Sequence, residues 1–153
     1  MDDMLAVARL QLDYAAAVDN DALERWPDFF TADGLYRITN AANEARGLPI
    51  GIVHCAGQAM MHDRVLSLRE ANVYEAQRYR HLLSLPVVTR DGDTLSATTS
   101  FHVARIMQDG ATLLFATGEY RDVVVRDGEA LKFRQRVVVL DSERIDTLLA
   151  IPI

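Results

Sequence analysis

The sequence predicts an α+β fold, with three helices in the first half packed on one long, curved antiparallel sheet in the second. Two observations lead there. Before residue 71 apolar residues recur at helical spacing, and after Tyr79 they alternate as in strands. Three Asp-Gly pairs, Asp91-Gly92, Asp109-Gly110 and Asp127-Gly128, then recur 18 residues apart between apolar runs. Asp-Gly in that setting signals a hairpin, and a type I′ turn with positive φ is the expected form.

The helices come in order. In "MLAVARLQLDYAAAVDN", Leu5, Ala8, Leu12, Ala15 and Ala16 fall near one face, and Asp2 or Asp3 caps the start. Asp21 is expected to cap a short second helix carrying Leu23, Trp26, Phe29 and Phe30, with Pro27 limiting its regularity. "LYRIT" opens a strand. Residues 40–57, with Pro49 among Gly47, Gly51 and Gly57, read as loop with a short strand at "IGIVH". "GQAMMHDRVLSLRE" is the third helix and "ANVYEAQ" a loop.

The Asp-Gly turns divide the remainder into four strands, Tyr79–Thr89, Thr94–Met107, Thr112–Arg126 and Leu131–Asp141. The strands between the turns do not resemble one another, so this is a meander and not a repeat. Strands of such length coil and carry bulges, and Gly118 marks a bend in the third. The helices are expected to close the concave side, leaving a cone. All 153 residues fit one domain.

Alternation assigns the faces. On the first strand Tyr79, His81, Leu83, Leu85 and Val87 share the apolar side, so His81 points into the cone. Arg78 and Arg80 point to the back of the sheet. On the last strand Lys132, Arg134 and Arg136 share a face that reads as solvated. The third strand is apolar on both sides, with Leu113 and Phe115 against Leu114 and Tyr120. A sheet with one wet face alternates cleanly, so its back should be covered, and a second chain is the natural cover.

Bulk properties bound the partners. The net charge is −6, which argues against nucleic acid and anionic membranes. The single cysteine, Cys55, forms no internal disulfide. "MDDMLAVARL" lacks the basic start of a signal peptide, and no apolar run reaches membrane-spanning length, so a cytoplasmic protein is expected.

Motifs for chemistry are sparse. His54, His62, His81 and His102 form no pair at metal-ligand spacing, and Cys55 beside His54 supplies two ligands at most. An iron–sulfur cluster needs more cysteines than the chain has. There is no GxSxG and no phosphate loop. Arg78 and Arg80 are a weak candidate for an anion grip. The serious catalytic alternative is acid–base chemistry inside the cone by Tyr14, Asp19, His81 and His102. Trp26, Tyr36, His81 and His102 are therefore the inward-facing candidates, and Arg78 and Arg80 the interface candidates. No catalytic, cofactor-binding or metal-ligating residue is assigned.

Several stretches, "DNDALERWPDFFTADGLYRIT", "GQAMMHDRVLSLREANVYEAQRYRHLLSLP" and the final "DTLLAIPI", resemble the small (β) subunits of bacterial aromatic-ring-hydroxylating dioxygenases. "WPDFF", "RYRHLLS" and "IPI" carry most of the resemblance, which is closest in flavour to terephthalate and salicylate oxygenases. The resemblance implies an NTF2-like (SnoaL-like) cone. It implies a large (α) partner subunit holding a Rieske [2Fe–2S] centre and a mononuclear iron, no cofactor in this chain, and an α3β3 assembly in which the small subunits self-associate as a trimer and act structurally. Arg78, Arg80 and His81 match the family's R-x-R-H element, with a packing or interface role implied. The same fold hosts isomerases and dehydratases, so a stand-alone enzyme of that kind is the alternative.

Overall fold

The computed structural model describes residues 2–48, 51–70, 76–143 and 151–153. Helix α1 (Asp3–Asp19) begins at Asp2, whose Oδ1 accepts from the Met4 amide at 2.9 Å, the expected N-cap. Its buried face is Val7, Leu10, Gln11, Tyr14, Ala15 and Val18. This differs from the expected face, in that Leu5 and Leu12 are exposed. The segment Leu23–Phe29 is a 3₁₀ helix that Asp21 does not cap. Asp21 instead takes a left-handed φ of 59° at the turn, and Arg69 holds its carboxylate at 2.9 Å. Pro27 lies inside the 3₁₀ segment, and Trp26 is packed into the core.

The sheet has seven strands: β1 (Phe30–Asn40), β2 (Val53–Ala56), β3 (Gln77–Leu83), β4 (Val87–Asp91), β5 (Thr94–Met107), β6 (Thr112–Asp127) and β7 (Ala130–Leu140). The order is β2-β1-β7-β6-β5-β3, with β4 also on β5. It is mixed, because β1 runs parallel to β7. The strand expected over Tyr79–Thr89 is two strands, β3 and β4, parted around buried Pro86, whose missing N–H cannot serve a ladder. Residues 40–57 hold more than loop: α2 (Ala41–Ala45), capped by the Asn40 side chain, and β2. Helix α3 (Gln58–Glu70) follows as expected. Of the predicted loops, residues 49–50 and 71–75 lie outside the described residues, as do 146–150 of the final motif.

All three Asp-Gly turns connect antiparallel strands, but not as type I′. Positive φ falls on Gly92, Gly110 and Gly128 and not on the neighbouring Asp or Glu residues. In the 91–94 and 127–130 turns the glycine is the first central residue, the place where a II′ turn needs it.

The core lies between the inner face of the sheet and α1, α3 and the 3₁₀ segment. Leu95, Ala97, Phe101 and Val103 of β5 enter it, with Tyr120 and Val124 of β6 and Tyr36 and Ile38 of β1. Part of the sheet's back is covered from within the chain. Helix α2 packs on β1 and β7, and Glu44 reaches both Arg37 and Arg121 at 3.5 Å. Beneath it Val137 and Val139 are buried although they face outward. A one-residue bulge separates Val123↔Gln135 from Val124↔Phe133 and leaves Arg134 unmatched. It turns Phe133 and Arg136 to the same side, so Arg136 is inside the cone and not on the solvated stripe expected for it.

Candidate functional site

Two regions gather the side chains of functional interest: the cone interior and the back of β3.

Inside the cone, Arg136 and Asp122 form a bidentate pair, Nε to Oδ1 and Nη2 to Oδ2, both 2.8 Å, with neither side chain exposed. Gln11 of α1 adds Nε2 to Asp122 Oδ2 at 2.9 Å and to Thr99 Oγ1 at 2.8 Å. The guanidinium lies over the rings of Tyr120, Phe133 and Tyr14, at 3.8, 4.2 and 4.4 Å from their centroids. Burial works against the Arg136 charge, but the Asp122 carboxylate outweighs it and holds the guanidinium above its ordinary pKa. A charge at this depth survives only with such pairing and ring faces around it.

Next to this pair the chain closes on its own last residues. Trp26 Nε1 donates to Tyr14 Oη at 2.9 Å, and Tyr14 Oη donates to the Ile153 carbonyl at 3.1 Å. Tyr36 Oη donates to the same carbonyl at 3.0 Å and accepts from the Ile153 amide at 3.0 Å. Ile151, Pro152 and Ile153 are all buried. Desolvation pushes the phenols of Tyr14, Tyr36 and Tyr120 above the usual tyrosine range.

The structure places Trp26, Tyr36 and His81 inside and His102 outside. His102 is exposed on the back of β5, one residue from buried Phe101, so it is not an inward-facing residue. The four acid–base candidates therefore do not converge. Two of them do meet. His81 Nδ1 lies 2.6 Å from Asp19 Oδ1, and the His81 amide donates to Asp19 Oδ2 at 2.9 Å. Both carboxylate oxygens are thus engaged in clipping the end of α1 to β3, the last strand of the sheet path. The His81 side chain has no exposure, and its Nε2 has no hydrogen-bond partner among the described residues. As folded, the pair is a structural clip.

On the back of β3, Arg78 and Arg80 are exposed and stand opposite Ile106 and Ala104 of β5. Among the described residues neither meets a carboxylate. Around them the surface is apolar: Leu82, Leu85, Val87 and Leu114 are 69, 65, 74 and 59% exposed. A shallow groove beside Leu82 is lined by Leu83, Ser84, Ser100, Phe101 and His102. Exposed apolar clusters rimmed by cations are the usual mark of a protein interface. Cys55 is buried, which raises its thiol pKa, and no group of three or more metal-ligating side chains occurs among the described residues.

Sequence reading missed Arg136, Asp122 and Gln11 as interior residues. Two of them left a signal. Gln11 sits at helical spacing among Val7, Leu10, Tyr14 and Val18, and Asp122 sits between Tyr120 and Val124 at strand spacing. A polar residue within an apolar stripe implies a buried partner. Arg136 left none, because the bulge at Arg134 reverses the parity that the alternation argument uses.

Comparison with known proteins is consistent along the chain. Residues 1–137 match the family described as a SnoaL-like domain. The terephthalate 1,2-dioxygenase terminal oxygenase component subunit beta 1 of a Comamonas species is 47% identical over 150 residues, 97% of each chain. The anthranilate 1,2-dioxygenase small subunit of Burkholderia cepacia is 42% identical over 145 residues, 94% of this chain and 90% of that one. A crystal structure of a β subunit assigned to an aromatic-ring-hydroxylating dioxygenase of Novosphingobium aromaticivorans superposes with a TM-score of 0.89 at 35% identity, covering 98% of this chain and 96% of that one. With this cone and relatives of this similarity along nearly its whole length, the chain belongs to the small (β) subunits of aromatic-ring-hydroxylating dioxygenases.

Proposed function

We propose that this chain acts as the non-catalytic, structural small subunit of a multicomponent aromatic-ring-hydroxylating dioxygenase, supporting a large subunit through the back of its sheet. The observation that carries the reading is that surface: two exposed arginines without carboxylate partners among the described residues, beside four exposed aliphatic side chains. The large subunit supplies the Rieske [2Fe–2S] cluster and the mononuclear iron. The whole sequence supports that division, since a Rieske centre needs two cysteines and this chain has one. In the α3β3 arrangement, where small subunits meet as a trimer and each also meets a large subunit, the large subunit gives Arg78 and Arg80 a buried setting. Terephthalate and anthranilate in the relatives' names put aromatic carboxylates forward as the substrate class of the whole complex.

Co-expression with the cognate large subunit tests this. The two chains should co-purify in equal copy number, with iron and acid-labile sulfide assigned to the large chain. Iron or sulfide bound to this chain after the two are separated overturns the division of labour.

A further inference from the structure

Strands β3 and β4 follow one another along the same side of β5 and together form the terminal edge of the sheet. In an antiparallel ladder one residue turns its N–H and C=O to the paired strand and the next turns both away. The Ser84 amide donates to the Ser100 carbonyl at 3.0 Å, so the even-numbered residues of β5 face this edge. Their partners on β4 are Val87, Thr89 and Asp91, opposite Thr98, Ser96 and Thr94. Val88 and Arg90 therefore turn their backbone N–H and C=O groups outward. The β3 half of the edge is closed, because the outward His81 amide donates to Asp19 Oδ2 at 2.9 Å. At the opposite edge of the sheet β2 is only four residues long, and its Ala56 amide is taken by Met60 Sδ at 3.3 Å. The Val88 and Arg90 backbone groups have no such partner among the described residues.

An open edge is a template for another strand, and proteins usually guard it with charge. Here the nearest cation does not stand guard: the Arg90 guanidinium is drawn to Asp3 at 2.7 and 2.9 Å. On the back of the sheet the edge carries exposed Leu85, Val87 and Thr89, so it is continuous with the apolar surface beside Arg78 and Arg80. We infer that an extended segment of the large subunit, the partner proposed above, adds to the outer edge of β4 as a further strand. Its backbone exchanges hydrogen bonds with Val88 and Arg90, and its side chains are aliphatic where they lie beside Leu85 and Val87. Main-chain bonds give such an added strand its affinity, and the alternate side chains give it specificity.

Amide hydrogen exchange on the full chain, alone and in complex with the co-expressed large subunit, tests this. In the free chain the Val88 and Arg90 amides should exchange fast, beside slower Thr89. In the complex both should slow by at least about tenfold, as amides drawn into a ladder do. A complex in which they stay fast overturns the added strand and leaves the large-subunit partnership standing, whereas failure to form any complex overturns both. Slowing in the free chain as its concentration rises would mean that a second copy takes the edge, and contradicts the inference. Val88→Pro against Val88→Ala gives an independent reading. Proline removes only an outward N–H and is tolerated at such an edge position. Val88→Pro should assemble with the large subunit at least about tenfold more weakly than Val88→Ala, because the added strand loses a main-chain bond that alanine keeps. Equal assembly of the two overturns the inference. If circular dichroism shows Val88→Pro unfolded, the exchange experiment on the unaltered chain decides.

Discussion

Arg136 and Asp122 stand on adjacent strands in direct register, joined by two 2.8 Å hydrogen bonds with no exposure of either side chain. The pair is buried in the cone interior, and Gln11 ties it to α1. Truncating one partner strands a buried charge, which typically costs about 3–5 kcal/mol. Arg136→Ala and Asp122→Ala are each expected to lower stability by that order in urea denaturation. The double change Arg136→Met with Asp122→Leu should be milder than either single, because no charge is left alone. A double variant as unstable as the sum of the singles would mean that the pair is not the unit.

Stability should fall steeply above about pH 10, the ordinary range of tyrosine ionisation. Burial raises the pKa values of Tyr14, Tyr36 and Tyr120 in the folded state. Above the unfolded value the unfolded chain releases these protons and the folded chain keeps them, so the unfolded state binds fewer protons and is favoured as pH rises. Their contribution is complete below the unfolded pKa and is lost as pH climbs toward the folded one. Denaturant midpoints from pH 8 to 11 should show this slope, and Tyr36→Phe should reduce it.

Gly118 is required by space, not by backbone angle. A Cβ there would run into the Val139 carbonyl of the paired strand, at the Leu140 end of the β6–β7 ladder. Gly118→Ala should cost about 1–3 kcal/mol, as overpacking of a rigid site does. An unchanged thermal midpoint would show that the strands separate there without penalty.

The Asp19–His81 clip separates a structural from a catalytic role. His81→Ala leaves a buried carboxylate short of a partner and should lower stability by about 1–3 kcal/mol. In the assembled dioxygenase, turnover per iron should stay as it is without the change. A loss of turnover in a fully assembled, iron-replete complex would assign the histidine to chemistry.

Much of this was legible in the sequence for identifiable reasons. The Asp-Gly pairs, the apolar alternation of β5 and the Asp2 cap are local signals, and local signals survive in the fold. The parallel pairing of β1 with β7 was not legible, because it joins residues about a hundred positions apart and leaves no turn between them. Arg136 was misplaced by one bulge, since a single extra residue inverts every inward and outward assignment beyond it. His102 was misplaced for a different reason: it lies on the face opposite Phe101, and its own strand already showed that parity. Helix α2 hid between glycines and a proline that read as loop, yet it covers Val137 and Val139, so part of the two-faced apolarity is answered within the chain.

What α2 leaves uncovered is the Arg78, Arg80 and Leu82 surface, and that surface carries the central claim. Native mass spectrometry of this chain co-expressed with its large subunit is the most direct measurement, comparing the unaltered chain with Arg78→Ala, Arg80→Ala. The unaltered chain should appear in a mixed assembly with equal numbers of both subunits. The double variant should fold as judged by circular dichroism and appear mostly as free chain, because truncating partly buried interface cations leaves the groups they met unpaired and weakens each contact by on the order of 2–5 kcal/mol. A double variant that assembles as well as the unaltered chain would contradict the account.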